Sequence, residues 1–192
     1  FPTRRSSDLL IETPRLIIRE LVPEDADGLF EMDSDAEVHR YIHQSPIKTM
    51  QEADDAIAFI RKQYADNGIG RWAVMDKTTN EFLGWTGFKL MTEVANGHIN
   101  HYDFGYRFKR SVWGKGIASE SGAASLTYGL EALKLKPVFA MTDVKNMVSR
   151  HILEKLGFRF VEEFNYDGPL PWGILPDRLV TWYELPAERY WP

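Results

Sequence analysis

The sequence predicts one α/β domain built on a mixed sheet. Strand-period and helix-period segments alternate along the chain, no fixed-length repeat occurs, and no Pro/Gly/Ser-rich linker divides it. The order read from the pattern is β-α-α-β-β-β-α-β-α-β-β, about seven strands and four helices. At 192 residues, with 44% hydrophobic and 13% aromatic content, the chain suits a single domain with a sizeable core.

Residues 1–8 are read apart from that domain. Phe1-Pro2-Thr3-Arg4-Arg5-Ser6-Ser7-Asp8 has no strand or helix period and matches the translation of a common sequencing-adapter oligonucleotide. A non-native segment is therefore expected there, with a flexible or basic native arm as the alternative, and the domain is expected to span 9–192.

Leu10 to Leu21 reads as a first strand, with Leu16, Ile17, Ile18 and Leu21 around Arg15 and Arg19. Pro23-Glu24-Asp25 then opens a helix, proline early and acids near the positive end of the dipole. Thr49 and Glu52 have capping-box spacing, Ala53, Ile57, Ile60 and Tyr64 keep the helical period, and Asn67-Gly68 closes this second helix. Strands Arg71–Asp76 and Phe82–Leu90 follow, joined by the turn Lys77-Thr78-Thr79-Asn80. His98 to Phe108 alternates, with Tyr102, Phe104, Tyr106 and Phe108 on one face and Asp103, Gly105 and Arg107 on the other.

The second half is tighter. Gly116 to Leu133 is a helix with a stripe of Ala123, Leu126, Leu130 and Leu133 and small early residues Ala118, Ser121, Gly122 and Ser125. Pro137 to Asp143 is a buried strand. Met147 to Leu156 is a short helix with Val148, Ile152 and Leu156 on one face, ended by Gly157. Phe158–Phe164 and Leu179–Leu185 are the last strands, separated by a Pro/Gly-rich loop at 167–177.

Composition removes several functional classes. A net charge of −5 argues against a protein that neutralises phosphate backbones, so no nucleic-acid partner is expected. Zero Cys excludes a disulfide scaffold, a thiolate metal site and a cysteine nucleophile. No apolar run reaches the length of a membrane span or resembles a signal peptide, which points to a cytoplasmic protein. His39 and His43 lie four apart on a predicted helix, but no third ligand is spaced with them, so no metal is expected.

The chemistry concentrates in Arg110-Ser111-Val112-Trp113-Gly114-Lys115-Gly116-Ile117-Ala118, between the aromatic strand and the small-residue helix. Two glycines two apart let backbone N–H groups converge at a helix N-terminus, a phosphate-binding arrangement. A Walker loop fails because Lys109 stands where its first glycine belongs, and a Rossmann fingerprint fails at Ser119. On the loop alone, an ordinary glycine-rich turn is the competing reading.

Asn146-Met147-Val148-Ser149-Arg150-His151-Ile152-Leu153-Glu154-Lys155-Leu156-Gly157-Phe158 follows the next strand. Together with the opening Glu12-Thr13-Pro14-Arg15-Leu16-Ile17-Ile18-Arg19 and the glycine loop with Glu120, this segment resembles the GNAT N-acetyltransferase superfamily. The likeness is greatest to its ribosomal-protein and protein N-terminal acetyltransferase branch, and it covers nearly all of residues 9–185.

The resemblance implies a mostly antiparallel central sheet and acetyl-CoA as cosubstrate. It implies a V-shaped opening beside the strand ending near Phe108, with pantetheine against the backbone of Tyr106, Arg107 and Phe108. Pyrophosphate is then expected on the amides of Val112 to Ala118, with Ser111 and Lys115 nearby. Asn146 is expected on the pantetheine arm, Ser149 near the thioester sulfur and Arg150 near phosphate, and small side chains at Ala118 and Gly122 keep the path clear. Many members carry Gln or Arg where Ser111 stands. Members with a tyrosine acid place it at Leu153, which leaves Ser149 as the candidate proton donor or thiol hydrogen-bonding group.

The reaction needs a neutral amine to attack a thioester, so a base is useful. Asp103 is the first candidate and Glu163 the second, each with an ordinary solvent-facing or ion-paired reading beside it. The expected activity is transfer of an acetyl group to a primary amine, a protein N-terminus or similar, by direct attack in a ternary complex. A small amine such as an antibiotic or polyamine, and a non-catalytic acyl-CoA-binding module, are the alternatives. A monomer or homodimer is expected. Trp72, Trp85, Trp172 and Trp182 are read as core or pocket wall, and Trp113 as packing beneath the loop.

Overall fold

The computed structural model describes residues 9–42, 45–166 and 178–189. The segment 1–8, His43 and the loop 167–177 with Trp172 lie outside the described residues.

The first strand is in fact a hairpin, β1 (Leu9–Glu12) and β2 (Leu16–Glu20), turned at Thr13-Pro14-Arg15. The Thr13 N–H bonds the Leu16 carbonyl and the Leu16 N–H bonds Thr13 Oγ1, so a proline-containing turn breaks the run of apolar residues. A short 3₁₀ turn precedes α1 (Ala26–Asp33), and buried Asp25 receives two bonds from the Arg19 guanidinium, at 2.7 and 2.8 Å. Residues 36–42 form turns, so His39 is not on a helix. It is buried, with Nε2 3.7 Å from Asp33 Oδ1.

Helix α2 (Met50–Asn67) has the expected termini. Thr49 and Glu52 complete the capping box, and Gly68 ends the helix at φ +68. Strands β3 (Arg71–Asp76) and β4 (Phe82–Met91) pair antiparallel across the expected turn, where Asp76 Oδ1 accepts from the amides of Thr78 and Thr79. Then come β5 (His101–Phe108), α3 (Ile117–Glu131), β6 (Val138–Asp143), α4 (Met147–Lys155), β7 (Arg159–Tyr166) and β8 (Arg178–Glu184).

The eight strands form one sheet in the order β1-β2-β3-β4-β5-β6-β8-β7, antiparallel except between β5 and β6. One face carries α3 and α4 over a core that includes Phe88, Phe104, Leu126 and Tyr183. The other carries α1 and α2 over Leu29, Met32, Ile57 and Met75. Alternation along β5 assigns its residues to these faces as expected, Phe104 and Tyr106 toward α3 and α4, Asp103 and Arg107 toward α1 and α2.

Two helix faces differ from expectation. On α3 the buried stripe is Ile117, Ser121, Gly122, Ser125, Leu126, Gly129 and Leu130, and Ala123 points outward. The small residues carry the packing: a Cβ on Gly122 would lie 2.9 Å from Leu156, and one on Gly129 would lie 2.4 Å from Phe88. Gly122 is therefore small so that α4 and the sheet can approach. On α4, Leu153 is the buried residue, while Val148 is 72% exposed.

Trp72 and Trp182 are core residues. Trp182 gathers Phe139, His98 and His101 around it, with the His98 ring stacked 5.4 Å away. His101 is fully buried, and neither ring nitrogen has a hydrogen-bond partner among the described residues. Burial pushes its imidazole below the usual value. Below a pH of about 6.5 the unfolded chain binds a proton that the folded chain resists, so stability present at neutral pH is lost as pH falls through that point. Thermal melts between pH 7 and 5 are expected to slope downward with acid, and His101→Leu to flatten that slope. An unchanged slope would contradict the assignment.

Among the described residues no helix is long and apolar enough to cross a membrane.

Candidate active site

β5 and β6 pair only at Tyr102–Val138 and Asp103–Phe139. Beyond that point β5 stays paired to β4 as far as Phe108, and β6 stays paired to β8 as far as Asp143. The two strands therefore part and leave the β6-facing side of residues 104–108 without a strand partner. This is the expected V-shaped opening. At the end of β5, the Phe108 carbonyl accepts the Trp113 indole N–H at 2.9 Å. Trp113 is 48% exposed, so it braces the loop from its side and is not packed beneath it.

The loop between β5 and α3 is built as a short 3₁₀ turn, Arg110–Val112, followed by Gly114 at φ +72 and Gly116 at φ +77. Both glycines occupy the left-handed region that side chains disfavour. Gly116 is the N-cap of α3, and no side chain caps that end, so the amides of the first turn stay available to a ligand. The amides of Val112, Trp113 and Lys115 are used within the turn, bonded to the carbonyls of Lys109, Arg110 and Val112. Ser111 and Lys115 are exposed.

The chain's opening motif holds this loop in place. Glu120 Oε1 accepts from Thr13 Oγ1 at 2.6 Å, and Oε2 pairs with Arg15 Nε at 2.6 Å. Arg15 Nη1 reaches the Lys115 carbonyl at 2.9 Å. Burial acts to raise the Glu120 carboxyl, but the bonds from Thr13 and Arg15 outweigh it and hold the group below the usual carboxylate range. Glu120→Ala removes the shared acceptor and is expected to cost about 1–2 kcal/mol, a fall in Tm of roughly 2–8 °C. An unchanged melting temperature would show that the turn and helix hold their places without it.

Across the opening, Asn146 caps α4 by accepting the Ser149 N–H on Oδ1 at 3.1 Å. The Tyr106 hydroxyl lies 3.0 Å from the Ser149 carbonyl and 3.1 Å from Ser149 Oγ. A carbonyl can only accept, so the phenol gives its proton there and the Ser149 hydroxyl points toward the phenol oxygen. Burial pushes the Tyr106 phenol well above its usual range. Leu153 is core, as its side chain requires. Arg150 is turned toward β8 and the base of α4, with Nε 3.3 Å from the Tyr183 hydroxyl, Nη1 3.2 Å from the Val144 carbonyl and the guanidinium over Phe160.

The opposite face of the opening leads into a pocket of about 240 Å³ between the sheet and helices α1 and α2. Leu29, Ile60, Trp85 and Met141 form apolar wall. Asp103 faces this pocket in an ion pair with Arg71, whose Nη1 also bonds the Asp103 carbonyl at 2.7 Å. Arg107 pairs with buried Asp33 at 2.9 Å, and both guanidiniums lie over the Trp85 ring, at 5.3 and 5.2 Å. Burial raises the Asp33 carboxyl, while Arg107 and His39 oppose it and leave the group below its usual value. Glu163 does not line the pocket. It pairs with Thr181 on the outer strand β7, exposed on the face that carries α4. The structure thus brings Asp103 to the opening, and Tyr106, Asn146 and Ser149 to its other side, but leaves Glu163 apart. Motif reading missed the Tyr106 phenol as the partner of Ser149. Its signal was the alternation of β5, which put Tyr106 on the α4 face.

Comparison with known proteins agrees with this geometry. A sequence profile for the acetyltransferase (GNAT) domain matches residues 15–159. The uncharacterized N-acetyltransferase p20 of Bacillus licheniformis is 33% identical over 147 residues, covering 77% of this chain and 80% of that protein. The spermidine N(1)-acetyltransferase of Escherichia coli K12 is 26% identical over 151 residues, 78% of this chain and 76% of its own. The crystal structure of a GNAT-family acetyltransferase from Bacillus anthracis superposes with a TM-score of 0.73 at 24% identity, over 93% of this chain and 98% of that one. With a split between two parallel strands, a glycine loop opening a helix and a profile match across most of its length, the chain belongs to the GNAT family of acetyl-CoA-dependent N-acetyltransferases.

Proposed function

We propose that the chain acetylates a primary amine that enters through the pocket between the sheet and helices α1 and α2, with acetyl-CoA approaching from the α3 and α4 side. The observation that carries this reading is the β5–β6 divergence, which opens on the glycine loop at one face and on Asp103 at the other. The residues present fit such a donor. A helix end without a side-chain cap suits a pyrophosphate, and unpaired strand backbone at 104–108 suits the amides of a pantetheine arm.

Acetyl-CoA supplies the activated acetyl thioester when bound. Attack by the neutral amine nitrogen makes the amide C–N bond as the C–S bond breaks. Asp103, facing the pocket beside Arg71, takes the proton released from nitrogen. The Ser149 hydroxyl, whose proton rests on the Tyr106 phenol oxygen, rotates that proton away from Tyr106 to hydrogen-bond the departing sulfur. The amides of Gly114 and of Gly116 to Ala118 carry phosphate, and Asn146 fixes the turn that presents Ser149. A protein N-terminus inserting its first residue and a free small amine both meet these requirements.

Turnover with acetyl-CoA and a panel of amines, followed as free-thiol release, tests the reading. Thiol release that depends on the amine is expected. Acetyl-CoA binding without release for any amine, peptide N-termini included, would overturn it.

A further inference from the structure

Among the described residues, the charges that line the pocket do not balance. Four cationic side chains, Arg71, Lys89, Arg107 and Arg178, line it against two carboxylates, Asp33 and Asp103. Both carboxylates are already committed, Asp103 to Arg71 and Asp33 to Arg107. Lys89 stands directly across the β4–β5 ladder from Asp103, yet it makes no ion pair or hydrogen bond among the described residues. Arg178 gives one Nη2 bond to the Tyr41 carbonyl at 3.1 Å, and its Nε is buried without a partner among the described residues.

The surroundings of Arg178 sharpen the point. Arg107 is a second guanidinium whose charge acts against it, and Asp143, which favours its charge, is not part of the pocket wall. Partial burial holds both Arg178 and Lys89 below their ordinary values, against the favourable charges of Asp143 on Arg178 and Asp103 on Lys89. Cations inside proteins are normally paired, because leaving one alone is costly. Here the counter-ion has a place to come from, the ligand itself.

We propose that the acceptor is a small amine bearing a carboxylate, as an amino acid does, with its carboxylate on Arg178 beside Arg107 and its amine directed to the β5–β6 opening. The planar guanidinium donors match a carboxylate edge. The proposal rests on the acetyltransferase reading and narrows its acceptor. A polyamine is disfavoured on the same grounds, since its second ammonium group would meet the surplus of positive charge.

The test compares three matched sets on the full chain: common amino acids, their neutral amides, and diamines of similar length. Each is measured for thiol release with acetyl-CoA and, independently, for direct binding by calorimetry. The carboxylates are expected to exceed the amides in kcat/KM and in affinity by at least about tenfold, with diamines weakest. Arg178→Gln is expected to erase that ratio through KM, and Arg178→Lys, which keeps the charge, to retain most of it. Equal or better use of amides or diamines, or a ratio untouched in folded Arg178→Gln, would overturn the proposal. The absence of thiol release with every set would count against the acetyltransferase reading, and the calorimetric ranking of carboxylate over amide would still decide this one.

Discussion

Replacing Gly116 with Val is expected to weaken acetyl-CoA binding by roughly tenfold to a hundredfold while the domain stays folded. Gly116 sits at φ +77, where a branched residue is strained, and releasing that strain means abandoning the loop conformation. Holding a non-glycine residue there costs of order 1–3 kcal/mol, and each ~1.4 kcal/mol is a factor of ten in affinity. Space within the fold is not the obstacle. An added Cβ would lie 3.5 Å from Arg15 Nη2, an ordinary contact with the end of a flexible side chain. The consequence falls on the ligand side, where the amides of the first α3 turn lose their alignment. Calorimetry with acetyl-CoA and a thermal melt separate the two effects. Wild-type affinity in a folded Gly116→Val protein would remove the loop from the binding site.

Ser149→Ala is expected to lower kcat by roughly 10- to 1000-fold while leaving acetyl-CoA affinity nearly unchanged, the range for losing one transition-state donor. The structure strengthens the reason for this. The hydroxyl is not free on a helix surface but lies 3.1 Å from the Tyr106 hydroxyl, which is anchored to the Ser149 carbonyl. Tyr106→Phe is accordingly expected to reduce kcat in the same direction, by releasing the Ser149 rotamer. If Ser149 were only a small helical residue, Ala would be harmless or slightly stabilising. Wild-type kcat at saturating substrates would support that simpler role and take Ser149 out of the chemistry.

What could be read from the sequence was local. The Thr49–Glu52 box, the closing Gly68 and the alternation of β5 depend on residues a few positions apart, and the structure has each of them. The glycine loop was legible for the same reason, since Gly114 and Gly116 must sit where φ is positive. The break at Thr13-Pro14-Arg15 was hidden because the flanking residues are apolar on both sides, so the strand period runs through the turn. The face of α3 was misassigned because leucines suggested a stripe, whereas glycine and serine positions set how closely Phe88 and Leu156 could pack. The charge balance of the pocket could not be read, although Asp103 and Trp85 were. Its charged residues come from helix α1 and strands β3, β4, β5 and β8, and their imbalance exists only once the sheet has gathered them.

The same holds for the brace on the loop. Thr13, Arg15 and Glu120 were part of the motifs that carried the family resemblance, but nothing in their spacing says that they touch. In the fold, the first turn and the cofactor-side helix share one carboxylate, and Arg15 also holds the Lys115 carbonyl next to Gly116. An opening motif far from the loop in sequence thereby becomes part of its support.

Hydrogen exchange of the whole chain with and without CoA tests most directly where the donor lies. CoA is expected to slow exchange at Gly114, at Gly116 to Ala118 and along residues 104–108, where β5 has parted from β6. The acceptor pocket around Arg71 and Arg178 is expected to change little. Slowed exchange centred on that pocket, or none at the loop, would contradict the placement of the donor in the strand divergence.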